Sequence, residues 1–77
     1  MTIKVKFFAT LRESLNLDKL NMETDNVKTV MDVWLQATDN VPMPDHIVCS
    51  VNFDHMPPDT PVNDGDEVAF FPPVTGG

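Results

Sequence analysis

The sequence predicts a small α+β domain in which a sheet is covered on one face by one main helix. Two observations support this class. Segments with alternating apolar residues occur at both ends and in the middle of the chain, in the order strand, strand, helix, strand, strand. Between them, one segment has apolar residues at helical spacing. A chain of 77 residues has room for one core, so residues 1–77 are predicted to form a single domain.

The predicted strands are the segments with period two. TIKVKFF begins the sheet, with Ile3, Val5 and Phe7 on one face, and ATLRESLNLD then predicts one or two helical turns and a loop. KLNMET alternates again and predicts the second arm of a hairpin. EVAFF predicts the last strand, which ends at Pro72 and Pro73. HIVCSVNF predicts a third strand with four apolar residues on one face, namely Ile47, Cys49, Val51 and Phe53.

TVMDVWLQA predicts the main helix. Val30, Val33 and Trp34 fall along one stripe, and Ala37 continues it. Thr29 is a suitable N-cap, and an aspartate follows in the first turn, where a negative charge complements the helix dipole. Asp39, Asn40 and two nearby prolines are expected to end the helix.

The charge of the chain is unevenly distributed. Its net charge is −7, all five basic residues lie within the first 28 positions, and eight carboxylates with no cation follow from Thr29 onward. Such a surface repels phosphate and anionic lipid, so nucleic acid and membranes are poor partners. The acidic surface either steers the domain toward a basic protein or only keeps it dissolved. One cysteine, no membrane-spanning apolar run and no signal-peptide pattern lead us to expect a cytoplasmic protein.

No group of residues predicts a catalyst. Cys49 shares a strand face with apolar residues, where a buried thiol is inert. His46 and His55 occur in turn-rich segments without a partner at ligand spacing, so we expect surface histidines. Asp64 and its neighbours Asp66 and Glu67 do not have the spacing of a calcium loop and predict a solvated turn. We expect neither a metal site nor a bound cofactor.

The carboxyl-terminal stretch FFPPVTGG is the segment with functional character. If Val68 and Phe70 enter the core, Phe71 projects from the other face as a binding anchor; alternatively, both rings are core residues. Two prolines then favour an extended, semi-rigid chain, and two terminal glycines fit through a narrow channel. A terminal carboxylate is unreactive until another protein activates it, most simply as an acyl-adenylate made from ATP. A sulfur nucleophile then gives a thiocarboxylate, and an amine gives an amide.

The segments IKVKFFATLRE, VNFD and GDEVAFFPPVTGG resemble the ubiquitin-like β-grasp sulfur-carrier family, and within it the small subunits of molybdopterin synthases. The resemblance implies a β-grasp fold, with a mixed sheet, adjacent and parallel first and last strands, and residues 73–77 as a protruding tail. VNFD and HMPPDTP depart from the pattern, since Phe53 stands where a smaller or polar residue is usual and the loop is rich in proline.

The resemblance also implies a function. An E1-like activating enzyme that uses ATP and magnesium would adenylate Gly77, and a sulfur donor protein would supply the sulfur of a thiocarboxylate. The tail would then enter the active site of the synthase large subunit, in a heterotetramer, and donate sulfur to cyclic pyranopterin monophosphate. This chain would be a sulfur-donor subunit without a catalytic site of its own. The implied sites are Gly77 as the sulfur-bearing residue, Gly76 as its slender neighbour, and a set of partner-binding residues: Phe71, Pro72, Pro73, Val74, Thr75 and Arg12.

Other functions are compatible with the same carboxyl-terminal segment. A carrier for thiamine synthesis or tRNA thiolation would load the same carboxylate with sulfur. A ubiquitin-like modifier would join it to lysines of target proteins. A plain interaction module would use the acidic surface and leave the tail without a role.

Overall fold

The fold is a five-stranded mixed sheet with two helices, seen in a computed structural model that describes residues 2–25, 27–45 and 47–72. The strands and helices follow the chain in the order β1 (Thr2–Phe7), α1 (Ala9–Leu15), β2 (Lys19–Glu23), α2 (Val30–Ala37), β3 (Val48–Val51), β4 (Asp54–His55) and β5 (Glu67–Phe71). The strand order across the sheet is β2-β1-β5-β3-β4. The two strands from opposite ends of the chain therefore lie side by side in its centre.

The pairing of β1 with β5 is parallel, with Val5 opposite Val68 and Phe7 opposite Phe70. The other pairs, β1 with β2, β3 with β4 and β3 with β5, are antiparallel. This mixed sheet with adjacent, parallel first and last strands confirms the arrangement that the resemblance implied.

The core lies between the sheet and α2. Alternate residues of β1 and β5 are fully buried on this side, and Trp34 of α2 packs against them. Its ring centroid lies 5.9 Å from that of Phe7 and 5.1 Å from that of Phe70, the spacing of favourable aromatic pairs. The indole N–H donates to the Val41 carbonyl oxygen at 2.8 Å, so its polar atom is satisfied. Val68 and Phe70 both enter the core, which is the condition under which Phe71 was expected to project from the other face.

The helix α2 begins as predicted. The Thr29 hydroxyl accepts a hydrogen bond from the Asp32 N–H, and the Asp32 carboxylate accepts one from the Thr29 N–H, which forms a capping box. Asp39 and Asn40 have φ of 59° and 69°, a left-handed conformation that asparagine and aspartate tolerate and that ends the helix. Within the part of the chain that the structure describes, no helix is long and apolar enough to cross a membrane.

Phe53 was predicted to lie on the apolar face of the third strand, and this prediction was wrong. Its side chain is 82% exposed, because β3 ends at Val51 and the chain turns at Asn52 and Phe53, with φ of 50° and 73°. Two consecutive positive φ values in a two-residue loop give a hairpin turn that matches the strand twist. The short strand β4 follows the turn, in a stretch where only turns were expected.

Candidate functional site

β5 is the last strand of the sheet, and Pro72 after it is the last residue that the structure describes. This strand is held between β1 and β3, with Phe70 opposite Phe7 on one side and opposite Cys49 on the other. Phe70 is fully buried, so the backbone is fixed one residue before Phe71. Pro72 therefore follows a strand that is paired on both sides. The predictions for Pro73, Val74, Thr75, Gly76 and Gly77 fall outside the described residues.

Phe71 lies on the face of the sheet opposite α2, which we call the outer face. Its neighbour Phe70 points into the core, and alternation along the strand turns the next side chain the other way. Phe71 is partly buried, and Val48 lies opposite it in β3. The sequence left open whether the rings of Phe70 and Phe71 are both in the core. In the structure, Phe70 is in the core and Phe71 lies on the outer face.

Phe8 stacks on Phe71. The two ring centroids are 4.7 Å apart and the ring planes differ by 6°, and Phe8 remains 38% exposed. We call these two residues the aromatic pair. The backbone holds Phe8 in place, since its N–H donates to the Phe70 carbonyl oxygen at 3.1 Å and its carbonyl oxygen accepts from the Leu11 N–H at 3.2 Å. A stack at the end of β5 with one exposed ring presents the kind of flat apolar surface on which partner proteins bind.

Sequence reasoning missed Phe8 as a site residue. Phe8 continues the alternation of Lys4 and Lys6, which placed its side chain on the face opposite Ile3, Val5 and Phe7. Its contact with Phe71, however, joins residues that are 63 positions apart in the sequence. Only the parallel pairing of β1 with β5 brings them together. Local periodicity carries no information about that pairing.

Two further predicted site residues are described. Pro72 follows β5 and is partly buried, and Arg12 lies in α1. Its Nη1 atom is 3.9 Å from the Asp18 Oδ1 atom, and both side chains are more than half exposed. A long, exposed ion pair of this kind contributes little to stability. The guanidinium is thus accessible on the surface, and its role in partner binding stays a prediction.

The described residues contain no constellation for catalysis. Burial raises the pKa of the Cys49 thiol to about 11, so it is protonated and unreactive at neutral pH. His55 is exposed, as expected, while His46 falls outside the described residues. Nowhere in residues 2–25, 27–45 and 47–72 do three or more potential metal ligands come together.

The acidic turn before β5 has a structural role. The Asp66 carboxylate accepts hydrogen bonds from the Asn63 N–H at 2.8 Å and from the Asn52 amide at 3.0 Å. The Asp64 carboxylate accepts one from the Thr24 hydroxyl at 2.6 Å. These bonds tie the β3–β4 turn and the end of β2 to the start of β5, so the turn is hydrogen-bonded within the protein rather than simply solvated.

Comparison with known proteins gives the family. The profile described as the ThiS family matches residues 5–77. The chain belongs to the ThiS family. It is 37% identical to the molybdopterin synthase sulfur carrier subunit of Escherichia coli (strain K12), over 97% of this chain and 99% of that protein.

Solved structures give the fold. The small archaeal modifier protein 1 of Methanosarcina acetivorans superposes with a TM-score of 0.78 at 26% identity, covering 99% of this chain and 96% of that one. A chain in the complex of subunits 1 and 2 of molybdopterin-converting factor from Helicobacter pylori has a TM-score of 0.65 at 21% identity, with full coverage of both chains. The ThiS-family chain therefore has the ubiquitin-like β-grasp fold that its sequence implied.

Proposed function

We propose that this chain is the sulfur carrier subunit of a molybdopterin synthase. The observation that carries the proposal is the close relationship over nearly the full length to the Escherichia coli sulfur carrier subunit. The geometry supports it, because β5 is paired on both sides and ends beside the aromatic pair, in which the Phe8 ring is exposed. A carrier needs such a firm base and a docking surface, and it needs no catalytic group of its own.

The chemistry would take place on the carboxylate of Gly77. An E1-like activating enzyme, using ATP and magnesium, would join that carboxylate to AMP and release pyrophosphate. A persulfide sulfur of a donor protein would then displace AMP to form an acyl disulfide. A thiol would cleave its S–S bond, leaving the thiocarboxylate and a disulfide between that thiol and the donor. Activation is required because a free carboxylate resists attack by nucleophiles, whereas an acyl-adenylate has a good leaving group.

The acceptor would be cyclic pyranopterin monophosphate, bound in the large subunit of the synthase. Two loaded carriers would supply the two dithiolene sulfurs of molybdopterin, in a heterotetramer built around the large-subunit dimer. The aromatic pair, Pro72 and Arg12 would contact the large subunit while residues 73–77 enter its active site. The Helicobacter pylori structure holds a domain of this fold in complex with a second subunit, so the fold is compatible with such an assembly.

The test is intact-mass analysis of the chain co-expressed with its activating enzyme and sulfur donor. We expect the mass change of one sulfur-for-oxygen exchange, localised to Gly77 by fragmentation. The matched control is a chain that lacks Gly77 and so ends at Gly76, which should stay unmodified. An unmodified full-length chain, under conditions in which the Escherichia coli carrier is loaded, would contradict the proposal.

A second candidate function is that of a protein modifier. It is favoured by the TM-score of 0.78 to the small archaeal modifier protein 1. In that function an amine would attack the acyl-adenylate, and Gly77 would become linked to a lysine side chain of a target. Denaturing gels of cells that express the tagged chain distinguish the two, because only a modifier gives bands that persist after reduction and boiling and disappear when Gly77 is deleted.

A further inference from the structure

Three lysines line one groove on the outer face of the sheet. The groove has a volume of about 450 Å³, and it is formed by β1, β2 and the start of β5. Its charged residues are Lys4, Lys6 and Lys19, with one carboxylate, Glu67. We call this surface the lysine groove. It is cationic, although the chain as a whole has a net charge of −7.

One of the three lysines has an ion pair within the described part of the chain. The Lys6 ammonium lies 3.4 Å from a Glu67 carboxylate oxygen, and this is the one ion pair that the described residues give to the three lysines. Lys19 lies directly opposite Lys6 in the antiparallel pair of β1 and β2. Like charges directly opposite on one face of a sheet destabilise it. Lys6 and Lys19 therefore repel each other, and the Glu67 carboxylate offsets part of this repulsion.

The lysine groove is continuous with the aromatic pair. A smaller depression of about 240 Å³ is lined by Lys6 and Lys19 from the groove and by Phe8 from the pair, and one carboxylate, that of Asp18, also lines it. A protein that covers the aromatic pair would thus also cover the groove. The three lysines would then lose water, which is favourable only if the partner brings negative charge.

Two carboxylates line these surfaces beside the three lysines, Glu67 in the groove and Asp18 in the smaller depression. The depression on the α2 side that contains Asp32 and Asp39 belongs to the other side of the sheet. At physiological ionic strength, charges farther apart than about 8 Å are largely screened. The groove and the smaller depression together are lined by three lysines and two carboxylates, so a partner that covers both meets a net charge of +1.

We propose that the lysine groove is a docking subsite for the synthase large subunit, which presents a carboxylate-bearing surface to it. The proposal rests on the proposed function, since it takes the large subunit as the partner that covers the aromatic pair. It adds a chemical requirement that the family assignment does not contain: aspartate or glutamate side chains of the partner lie within ion-pairing distance of Lys4 and Lys19.

The experiment compares Lys19→Glu with Lys28→Glu, measured by titration calorimetry against the purified large subunit. Both substitutions change the net charge equally, and both side chains are exposed, but Lys28 lies outside the groove. We expect Lys19→Glu to weaken binding by about three- to tenfold at low ionic strength, with a smaller difference at high ionic strength. It should also raise the melting temperature, because it replaces a like-charge pair with an attractive one opposite Lys6. Lys28→Glu should leave the affinity within twofold of wild type.

The outcomes separate this proposal from the one on which it rests. If the wild-type chain binds and Phe71→Ala weakens binding, but Lys19→Glu behaves as Lys28→Glu does, only the groove proposal is overturned. If the wild-type chain does not bind the large subunit, both are overturned. If the free chain self-associates and Lys19→Glu abolishes this self-association, the groove binds a second copy of the chain. The proposal that it binds the large subunit is then overturned. Carbodiimide cross-links from Lys4 or Lys19 to large-subunit carboxylates, mapped by mass spectrometry, are the positive result expected in the complex.

Discussion

Removal of the Phe71 ring separates its roles in stability and in binding. Truncation of a fully buried phenylalanine costs about 3–5 kcal/mol. Phe71 is only partly buried, and its main described contact is the stack on Phe8, an interaction of about 0.5–1.5 kcal/mol beyond area burial. We therefore expect Phe71→Ala to lower the free energy of unfolding by about 1–2 kcal/mol. For a domain of this size, this corresponds to a fall in melting temperature of about 5–15 °C.

The loss in binding should be of similar size or larger. An aromatic anchor at the centre of an interface contributes about 1–4 kcal/mol when it is truncated, and each 1.4 kcal/mol is tenfold in Kd. Calorimetric titration into the large subunit measures the affinity, and thermal unfolding of the free chain measures the stability. The temperature of the titration should lie well below the melting temperature of the variant, so that the folded chain is compared in both cases.

Two phenylalanines serve as matched controls. Phe70→Ala removes a fully buried ring and should cost about 3–5 kcal/mol of stability, a large part of the total for a small domain. Phe53→Gly removes an exposed ring at the end of β3 that lies away from Phe71 and should leave the affinity unchanged. An affinity of Phe71→Ala equal to that of wild type, together with a stability loss as large as that of Phe70→Ala, would refute the assignment of Phe71 to the docking surface.

Two further predictions concern the body of the fold. Phe53→Gly should raise the free energy of unfolding by about 0.5–1 kcal/mol in urea denaturation, because glycine adopts the φ of 73° without strain; a loss of stability would contradict this. The Cys49 thiol should resist thiol reagents at pH 8 in the folded chain and react on unfolding. Its pKa rises from 9.0 to about 11 on burial, so the folded state binds the proton more tightly, and the free energy of unfolding should decrease as the pH rises between about 9 and 11. A Cys49→Ala variant should lack that decrease, and a wild-type chain whose stability is flat over this range would exclude a buried, protonated thiol.

The elements with strong periodicity were predictable from the sequence. β1 and β5 each bury the apolar residues that alternation selected, and Thr29 caps α2 as its position before the apolar stripe indicated. These predictions succeed because burial of one face and satisfaction of the first N–H groups act over a few neighbouring residues.

The features that failed depend on long-range pairing or on unusual turn residues. The alternation of HIVCSVNF continues through Phe53, whereas the chain turns at Asn52 and Phe53 without the glycine that normally signals such a turn. The contact of Phe8 with Phe71 and the opposition of Lys6 to Lys19 arise from strand pairing. Neither is encoded in a local pattern, so both required the structure.

The most direct test of sulfur transfer is a single-turnover reaction of the loaded chain with the large subunit and cyclic pyranopterin monophosphate. We expect dithiolene product to appear as the chain returns to the mass of the free carboxylate. Two carriers should be consumed for each molecule of product. A chain that lacks Gly76 and Gly77, or one whose carboxyl terminus is an amide, should give no product. Dithiolene formation with either of these chains would contradict the claim that the Gly77 thiocarboxylate donates the sulfur.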